Sequence, residues 1–373
     1  MPARDNAKIS GQIRYTAISP DSSGGIGMKK TSALLVISMF IVCVTAGPTK
    51  TQAQNRASLG TAPVSHIGIV VTDLETSVRA AAEVFGVPEP PIDNARELAA
   101  PDGSQAAVMR VATFRLPNFL IELQEAATTW GPVYETVQAH GQTVHHISLE
   151  AKEDFDDLRD RLVDKGGQWK GGTRKGVWAY VDFRKILGVT LEPITPPVYQ
   201  MLVKQYQHVA KPEALGNYPV KSVGIVVENA TQAAQAYADT LGITVPPVRR
   251  VYLATPSRKT QIKRTSWNHE NNITIELIEP VNGASPWFEA LQKQNGNAVH
   301  HLSFNVGDQM AEMIQTLEAK GGTLTYGGAG KIRAYLDFTK TLGIVIELTG
   351  NSVATLSLDE KEHQELRSIP QGT

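Results

Sequence analysis

The segment GQTVHHISLEA, residues 141–151, returns later in the chain as GNAVHHLSFNV, residues 296–306, at an offset of 155 residues. Three further segments recur in the same order at offsets of 154 to 156 residues: HIGIVVTD (66–73) as SVGIVVEN (222–229), FLIELQEA (119–126) as ITIELIEP (273–280), and AYVDFRKILGVTLE (179–192) as AYLDFTKTLGIVIE (334–347). Recurrence in this order indicates two tandem copies of one structural unit. We predict domains at 61–196 and 218–350, a linker with a short helix at 197–217, and a polar tail at 351–373.

Composition places the chain among soluble globular proteins. Of its 373 residues, 42 % are hydrophobic and 20 % charged, which suffices for buried cores and excludes wholesale disorder. The 36 Lys and Arg residues against 37 Asp and Glu residues leave a formal net charge of -1, so we expect no nucleic-acid partner. A single Cys excludes a disulfide framework and a thiolate zinc site.

The N-terminal segment differs from the rest of the chain. Residues 28–30 (MKK) precede an uncharged apolar run at 33–46, which is typical of a secretory signal peptide at 28–53. A membrane anchor is the alternative, but the run is shorter than the roughly 20 residues that cross a bilayer. Residues 1–27 then represent an over-called start, and Cys43 leaves with the signal peptide. We expect a periplasmic or secreted protein with no membrane attachment after cleavage.

Each copy shows the same alternation of strands and helices, which predicts an α+β fold. In the first copy, a β-branched strand at 66–71 leads into an amphipathic helix that ends at Gly86. Extended segments follow, then a strand at 145–149, a second helix that ends at Gly166, and a last strand at 190–192. The order of one strand, one helix and further strands therefore occurs twice in each copy.

Four potential metal ligands of the first copy lie on four separate predicted strands: His66, Glu122, His146 and Glu192. Each is surrounded by apolar residues, and a carboxylate in such a strand needs either solvent or a cation. Two imidazoles and two carboxylates suit one divalent metal such as Mn, Fe, Co, Ni or Zn. Taken singly, each is as well explained as an ordinary polar strand residue, and the recurrence at matched strands favours the metal interpretation.

These segments resemble the vicinal oxygen chelate (VOC) superfamily, which includes glyoxalase I, bleomycin-resistance proteins, extradiol dioxygenases and methylmalonyl-CoA epimerase. HIGIVVTDLETSVRAAAEVFGV, IELQEA, TVHHISLE and GVTLEPI look most like the epimerase branch. The resemblance implies tandem VOC domains, with four βαβββ modules forming two cup-shaped half-barrels. It also implies that His66, Glu122, His146 and Glu192 hold the metal. Epimerases often carry Gln at the position of Glu122, whereas Glu is found there in glyoxalase-type sites.

The first copy departs from the epimerases at the catalytic base. They carry a carboxylate on the strand before Glu122, where this chain reads AAVMR at 106–110. A ligand carboxylate, Glu122 or Glu192, would have to detach and act as the base. Arg110 lies twelve residues before Glu122, as Arg264 lies before Glu276, so we predict that Arg110 holds a substrate carboxylate in the cup. A solvated strand arginine is the alternative.

The second copy carries an incomplete ligand set. The corresponding residues are Ser222, Glu276, His301 and Glu347, and the Ser hydroxyl is a poor substitute for imidazole. We expect a degenerate cup that stabilises the first; a weaker second metal site is the alternative. If the first and fourth modules paired instead, the complete site would consist of His66, Glu122, His301 and Glu347. The short connection between Glu122 and His146 favours pairing within each copy.

The function predicted from these features is a metal-dependent isomerase, epimerase or lyase that acts through a metal-stabilised enolate. Its substrate would be a small carbonyl or carboxylate compound outside the cytoplasm, because a secreted protein should not meet acyl-CoA or glutathione adducts. Two alternatives stay open: an extradiol-type dioxygenase and a non-catalytic VOC protein that binds a small ligand. The extradiol alternative fits less well, because in those enzymes the C-terminal half is usually the active one. The chain is expected to be a monomer or a homodimer.

Overall fold

The structure is a computed structural model that describes residues 59–350 apart from 153, 174–175, 255–258, 282–284 and 330. The predicted start, signal peptide and C-terminal tail lie outside the described residues. Within the described ranges, no helix has both the length and the apolar character needed to cross a bilayer.

The first domain consists of eight strands and five helices in the predicted alternation. The strands are β1 (Val64–Val70), β2 (Ile92–Ala99), β3 (Ala106–Arg115), β4 (Leu120–Ala126), β5 (Thr143–Glu150), β6 (Gln168–Gly172), β7 (Ala179–Asp182) and β8 (Thr190–Ile194). The helices are α1 (Leu74–Phe85), α2 (Pro132–His140), α3 (Phe155–Asp164), α4 (Arg184–Leu187) and α5 (Pro196–Gln205). Helix α5 is the short helix predicted in the linker.

The second domain repeats this order. Its strands are β9 (Val220–Val226), β10 (Arg249–Ala254), β11 (Lys259–Asn268), β12 (Thr274–Pro280), β13 (Ala298–Asn305), β14 (Thr323–Gly327), β15 (Arg333–Asp337) and β16 (Val345–Thr349). Its helices are α6 (Ala230–Leu241), α7 (Pro286–Gln294) and α8 (Met310–Ala319). Helices α1 and α6 begin alike, because the side chains of Asp73 and Asn229 accept a hydrogen bond from a backbone N–H of the first turn.

The sheet order shows that modules pair within each copy. The first sheet is a closed barrel in the order β1-β4-β3-β2-β6-β7-β8-β5, and the second is an eight-stranded sheet in the order β10-β11-β12-β9-β13-β16-β15-β14. In the first, β1 runs parallel to β4 and antiparallel to β5. The alternative pairing of the first and fourth modules is therefore wrong, and the two predicted cups are confirmed.

The two cups differ in closure, because a glycine of the first is a tyrosine in the second. The first barrel closes where Ala99 of β2 pairs with Gly172 of β6. At the neighbouring Gly171 a Cβ would stand 2.2 Å from the Ala99 carbonyl oxygen, and its φ of +123° also suits only glycine. In the second copy Tyr326 occupies this register position opposite Tyr335, as Gly171 lies opposite Tyr180. A side chain there is incompatible with the same approach, and among the described residues no strand pair closes the second sheet.

Apolar side chains close both ends of the first barrel. At one end Leu202 of α5 packs against Leu120 and Ile194, which lie two residues from Glu122 and Glu192 on the same strands. At the other end Val133 of α2 packs with a cluster that contains Met109. The middle of the barrel is thereby shielded from solvent on both sides.

The two domains share one hydrophobic core. The ring of Phe85 in α1 lies 6.2 Å from that of Phe304 in β13, measured between centroids, within a cluster drawn from both domains. The Tyr237 hydroxyl in α6 donates a hydrogen bond to the Leu187 carbonyl at 2.8 Å. The second domain therefore buries apolar surface of the first, which is consistent with the predicted stabilising role.

Candidate metal centre

Four side chains from β1, β4, β5 and β8 meet in the middle of the first barrel. Nε2 of His66 lies 2.8 Å from Oε2 of Glu192 and 3.7 Å from Oε2 of Glu122. Nε2 of His146 lies 3.5 Å from the same Glu192 oxygen. None of the four side chains belongs to a residue more than 5 % exposed. The structure thus brings together all four residues that were predicted as metal ligands in the first copy.

Three atoms of this cluster converge without a well-formed hydrogen bond: Nε2 of His66, Nε2 of His146 and Oε2 of Glu192, although the His66 and Glu192 atoms lie only 2.8 Å apart. A buried polar atom without a partner is costly, and here three such atoms converge. Ligand atoms about 2.1 Å from one metal ion lie about 3 Å apart, which is close to the separations observed. The remaining ring nitrogens are occupied, since Nδ1 of His66 contacts the Ser65 hydroxyl at 2.9 Å and Nδ1 of His146 contacts Nδ1 of His145 at 3.0 Å. The donor set fits a divalent transition metal.

Glu122 differs from Glu192, because its carboxylate is already hydrogen-bonded. Arg96 of β2 donates to Oε1 at 3.0 Å, and Gln124 donates to Oε2 at 3.2 Å. Burial alone would raise the pKa of Glu122, but the Arg96 guanidinium and the nearby histidines outweigh it and lower the pKa to about 2. No Lys or Arg in the described ranges forms an ion pair with Glu192. The lowered pKa makes the Glu122 carboxylate a weak base.

The two histidines have opposite pKa shifts. Burial lowers the pKa of His66, but the carboxylates of Glu122 and Glu192 outweigh burial and raise it above its ordinary value of 6.5. Burial dominates at His146 and lowers its pKa to about 3. His146 is therefore neutral and able to bind a metal at any ordinary pH, whereas His66 must first lose a proton.

Sequence reasoning missed Arg96. It lies on β2, two residues before Leu98, which faces the barrel interior with Met109. Strand alternation from Leu98 would have placed Arg96 on the same inner face. The register of β2 shifts between Asp93 and Arg96, so the residues before this shift do not show which face of the strand Arg96 occupies.

The structure places Arg110 on the outer face of the barrel, which does not support its predicted contact with substrate in the cup. Arg110 pairs across the strands with Glu125, donates to its carboxylate at 2.6 Å, and also forms an ion pair with Glu75 of α1. Its counterpart is Lys263, which pairs with Glu279 in the same way at 2.7 Å. Arg264, at the matching sequence distance, instead forms an ion pair with the buried Glu276.

The second cup retains three of its four predicted residues as a buried cluster. Nε2 of His301 lies 3.4 Å from Oε2 of Glu347, and neither atom has a hydrogen-bond partner. Oε1 of Glu347 accepts hydrogen bonds from Arg333 at 2.5 Å and from the Tyr335 hydroxyl at 2.6 Å. Ser222 occupies the position of His66 on the corresponding strand, opposite Thr274 as His66 lies opposite Leu120.

Both cups could hold a divalent metal, but their charges differ. Ligand atoms of His66, Glu122 and His146 lie within 4.8 Å of one another, as do those of Glu276, His301 and Glu347. With both histidines neutral, as metal binding requires, the first cup has two carboxylates and one guanidinium, from Arg96, which leaves a formal charge of -1. In the second cup the guanidiniums of Arg264 and Arg333 balance both carboxylates. A cation is therefore attracted more strongly by the first cup.

A separate cavity of about 610 Å³ lies between the domains. Its walls include Arg184 of α4 and the segment 294–298 of the second domain, and it contains none of the four first-cup residues.

Comparisons with known proteins agree with this architecture. A family model described as "Glyoxalase/Bleomycin resistance protein/Dioxygenase superfamily" matches residues 65–180 and again 222–339. An uncharacterized protein of Bacillus subtilis (strain 168), YqjC, is 26 % identical over 131 residues, which cover 34 % of this chain and 87 % of that protein. The match is to the superfamily as a whole, so the resemblance to the epimerase branch stays a prediction.

Among solved structures, a mutant of 4-hydroxymandelate synthase from Streptomyces coelicolor has a similar fold. The TM-score is 0.53 at 15 % sequence identity, and the match covers 78 % of this chain and 92 % of that chain. At this identity the likeness concerns the fold alone.

Proposed function

Because this chain belongs to the glyoxalase/bleomycin resistance protein/dioxygenase superfamily, we propose that it is a metal-dependent enzyme whose active site is the first cup. Its reaction is an isomerisation, epimerisation or lyase reaction on a small carbonyl or carboxylate compound. The observation that carries the proposal is the convergence, within 2.8 to 3.5 Å of the Glu192 oxygen, of three buried atoms that lack a well-formed hydrogen bond, on His66, His146 and Glu192. The second cup is the degenerate one.

The residues of the first cup divide into two roles. His66, His146 and Glu192 would hold one divalent metal, with Glu122 as a fourth ligand held in place by Arg96. The metal supplies a Lewis acid that stabilises an enolate oxygen. Arg96 stabilises the charged form of Glu122, so we assign the role of proton acceptor to Glu192, which has no such ion pair with Arg or Lys among the described residues.

The substrate is small, because the four side chains of the first cup are buried within the barrel. Leu202 of α5 and Val133 of α2 cover the two ends. The apolar run at 33–46 supports export to the periplasm or the medium, where carbonyl and carboxylate compounds are present without acyl-CoA or glutathione carriers. The proposed partners are therefore the metal and a small molecule, for a monomer or homodimer.

One observation favours a second candidate, an oxygen-dependent ring-cleaving enzyme. The three unpartnered atoms form a set of two histidines and one carboxylate, which is the ligand set of non-haem Fe(II) oxygenases. This candidate requires bound Fe(II) or Mn(II) and strict dependence on oxygen. An enolate reaction requires neither.

The test is the metal content of the purified full chain and of two variants, measured by mass spectrometry. We expect about one transition metal per chain, its loss in His146→Ala and its retention in His301→Ala, the matched change in the second cup. The identity of the metal then selects between enolate and oxygen chemistry. A wild-type chain that takes up none of Mn, Fe, Co, Ni and Zn would exclude the enzyme and favour the small-ligand binding protein.

A further inference from the structure

The histidine that precedes His146 contacts it through the nitrogen that faces away from the cup. Nδ1 of His145 lies 3.0 Å from Nδ1 of His146, and the two rings are nearly perpendicular, at 88° with centroids 5.3 Å apart. At this distance the two nitrogens share one proton, so that one donates and the other accepts. In the metal-free chain either assignment satisfies this contact, and Nε2 of His145 is buried without a hydrogen-bond partner in both.

Metal binding permits only one of the two positions of the shared proton. For Nε2 of His146 to bind a metal, its lone pair must be free, and the proton of the neutral ring then lies on Nδ1. That Nδ1–H must donate to Nδ1 of His145, which accepts through its lone pair. We infer that His145 is a positioning residue that holds His146 in the metal-binding tautomer; this inference rests on the metal site proposed above.

The surroundings of His145 hold its ring in place. His145 is 1 % exposed, and its ring packs edge-on against Tyr180 with centroids 4.8 Å apart. An acceptor with so little freedom orients the ring that it contacts, which is the role of outer-sphere partners in metal sites. The side chain of Ser65 has the same relation to His66, at 2.9 Å from Nδ1.

The second copy repeats the arrangement without the complete ligand set. Nδ1 of His300 lies 3.0 Å from Nδ1 of His301, with the rings at 81°. His300 therefore provides a matched control: an identical contact that does not touch the first cup.

The experiment measures the affinity of the full chain for Zn²⁺ by chelator competition in wild type, His145→Leu, His145→Asn and His300→Leu. Leucine removes the acceptor, and we expect a loss of affinity of about tenfold to a hundredfold. The Oδ1 atom of asparagine can take the place of Nδ1 and accept the same proton, so this variant should restore most of the affinity. His300→Leu should keep the wild-type value.

A spectroscopic measurement separates hydrogen bonding from packing. In the Co²⁺-loaded chain the Nδ1–H of a ligating histidine gives a shifted, exchangeable proton resonance, and that of His146 should exchange faster in His145→Leu alone. Melting of the metal-free variants, followed by circular dichroism, checks that each is folded. The inference is overturned if wild type binds Zn²⁺ and His145→Leu binds it equally well, or if the asparagine variant is as weak as the leucine variant. A wild type that binds no metal overturns the proposed function instead.

Discussion

The ring of His146 lies directly against the backbone of Gly68 on the neighbouring strand. A Cβ built on Gly68 would stand 1.9 Å from Cε1 of the imidazole, well inside any contact distance. Gly224 and His301 stand in the same relation, also at 1.9 Å. Glycine at these positions is therefore required for the histidine to reach the cup.

This contact predicts that Gly68→Ala disrupts the metal site without removing a ligand. The methyl group must displace the His146 ring, and overpacking of this kind costs about 1–3 kcal/mol. We expect lower metal content and a lower free energy of unfolding, measured by mass spectrometry and urea denaturation. Gly224→Ala should cost similar stability while the metal content stays unchanged. Equal metal content in both variants would contradict the assignment of the metal to the first cup.

The position of Arg96 predicts that its replacement lowers the stability of the chain but raises its metal affinity. Replacing it in Arg96→Met leaves the Glu122 carboxylate buried without its cation, which costs about 3–5 kcal/mol for a fully buried pair and less here, where the Arg96 side chain is 25 % exposed. The cup then carries one more negative charge, so a divalent cation should bind more tightly. Urea denaturation without metal and chelator competition measure the two effects. Arg333→Met, in the second cup, should also destabilise the chain but leave the metal affinity of the first cup unchanged.

The recurrence of segments predicted which side chains meet in each cup, because each lies at a matched position of a repeated strand. His146 and His301, for example, are separated by the same 155 residues as Glu192 and Glu347. Side-chain alternation on a strand is set by the fold that the copies share, so matched positions face the same way. The alternation of strands and helices in each copy predicted the fold class, and the short connection between Glu122 and His146 predicted the pairing of modules within each copy.

The prediction for Arg110 failed because one hairpin is longer than the other. Thr113 pairs with Glu122, whereas Ser266 pairs with Glu276, so the separation between partners grows by one residue. A shift of one residue moves a side chain to the opposite face of the strand. Arg110 and Arg264 therefore face opposite ways although each lies twelve residues before its Glu. A comparison of strand residues alone does not reveal a difference of one residue in the length of the hairpin.

The outward position of Arg110 predicts that Arg110→Ala leaves the metal site intact. Its ion pairs with Glu75 and Glu125 lie at the surface, where such pairs contribute about 0–1 kcal/mol. We expect unchanged metal affinity and at most a small fall in the free energy of unfolding. Lys263→Ala, the matched change in the second domain, should behave alike. A loss of metal affinity in Arg110→Ala alone would show that the side chain turns into the cup.

The opposite pKa shifts of the two histidines predict how metal binding depends on pH. His146 is neutral down to a pKa of about 3, whereas the pKa of His66 is raised above 6.5 by Glu122 and Glu192, which outweigh burial. Below the raised pKa the metal must displace one proton from His66, so affinity should fall about tenfold per pH unit on acidification. The folding stability of the metal-free chain depends on pH in the opposite direction. The charged His66 contributes stability below pH 6.5, and this contribution is lost as pH rises through the raised pKa.

Titration calorimetry in buffers of different ionisation enthalpy measures the protons released per metal bound. We expect about one proton released below the pKa of His66 and none well above it. His140→Ala removes a histidine that lines the cavity between the domains and should leave the profile unchanged. Release of two protons would mean that His146 is also charged before binding. Release of none across the acidic range would mean that His66 is not a ligand, and the site would then reduce to His146 and the two carboxylates.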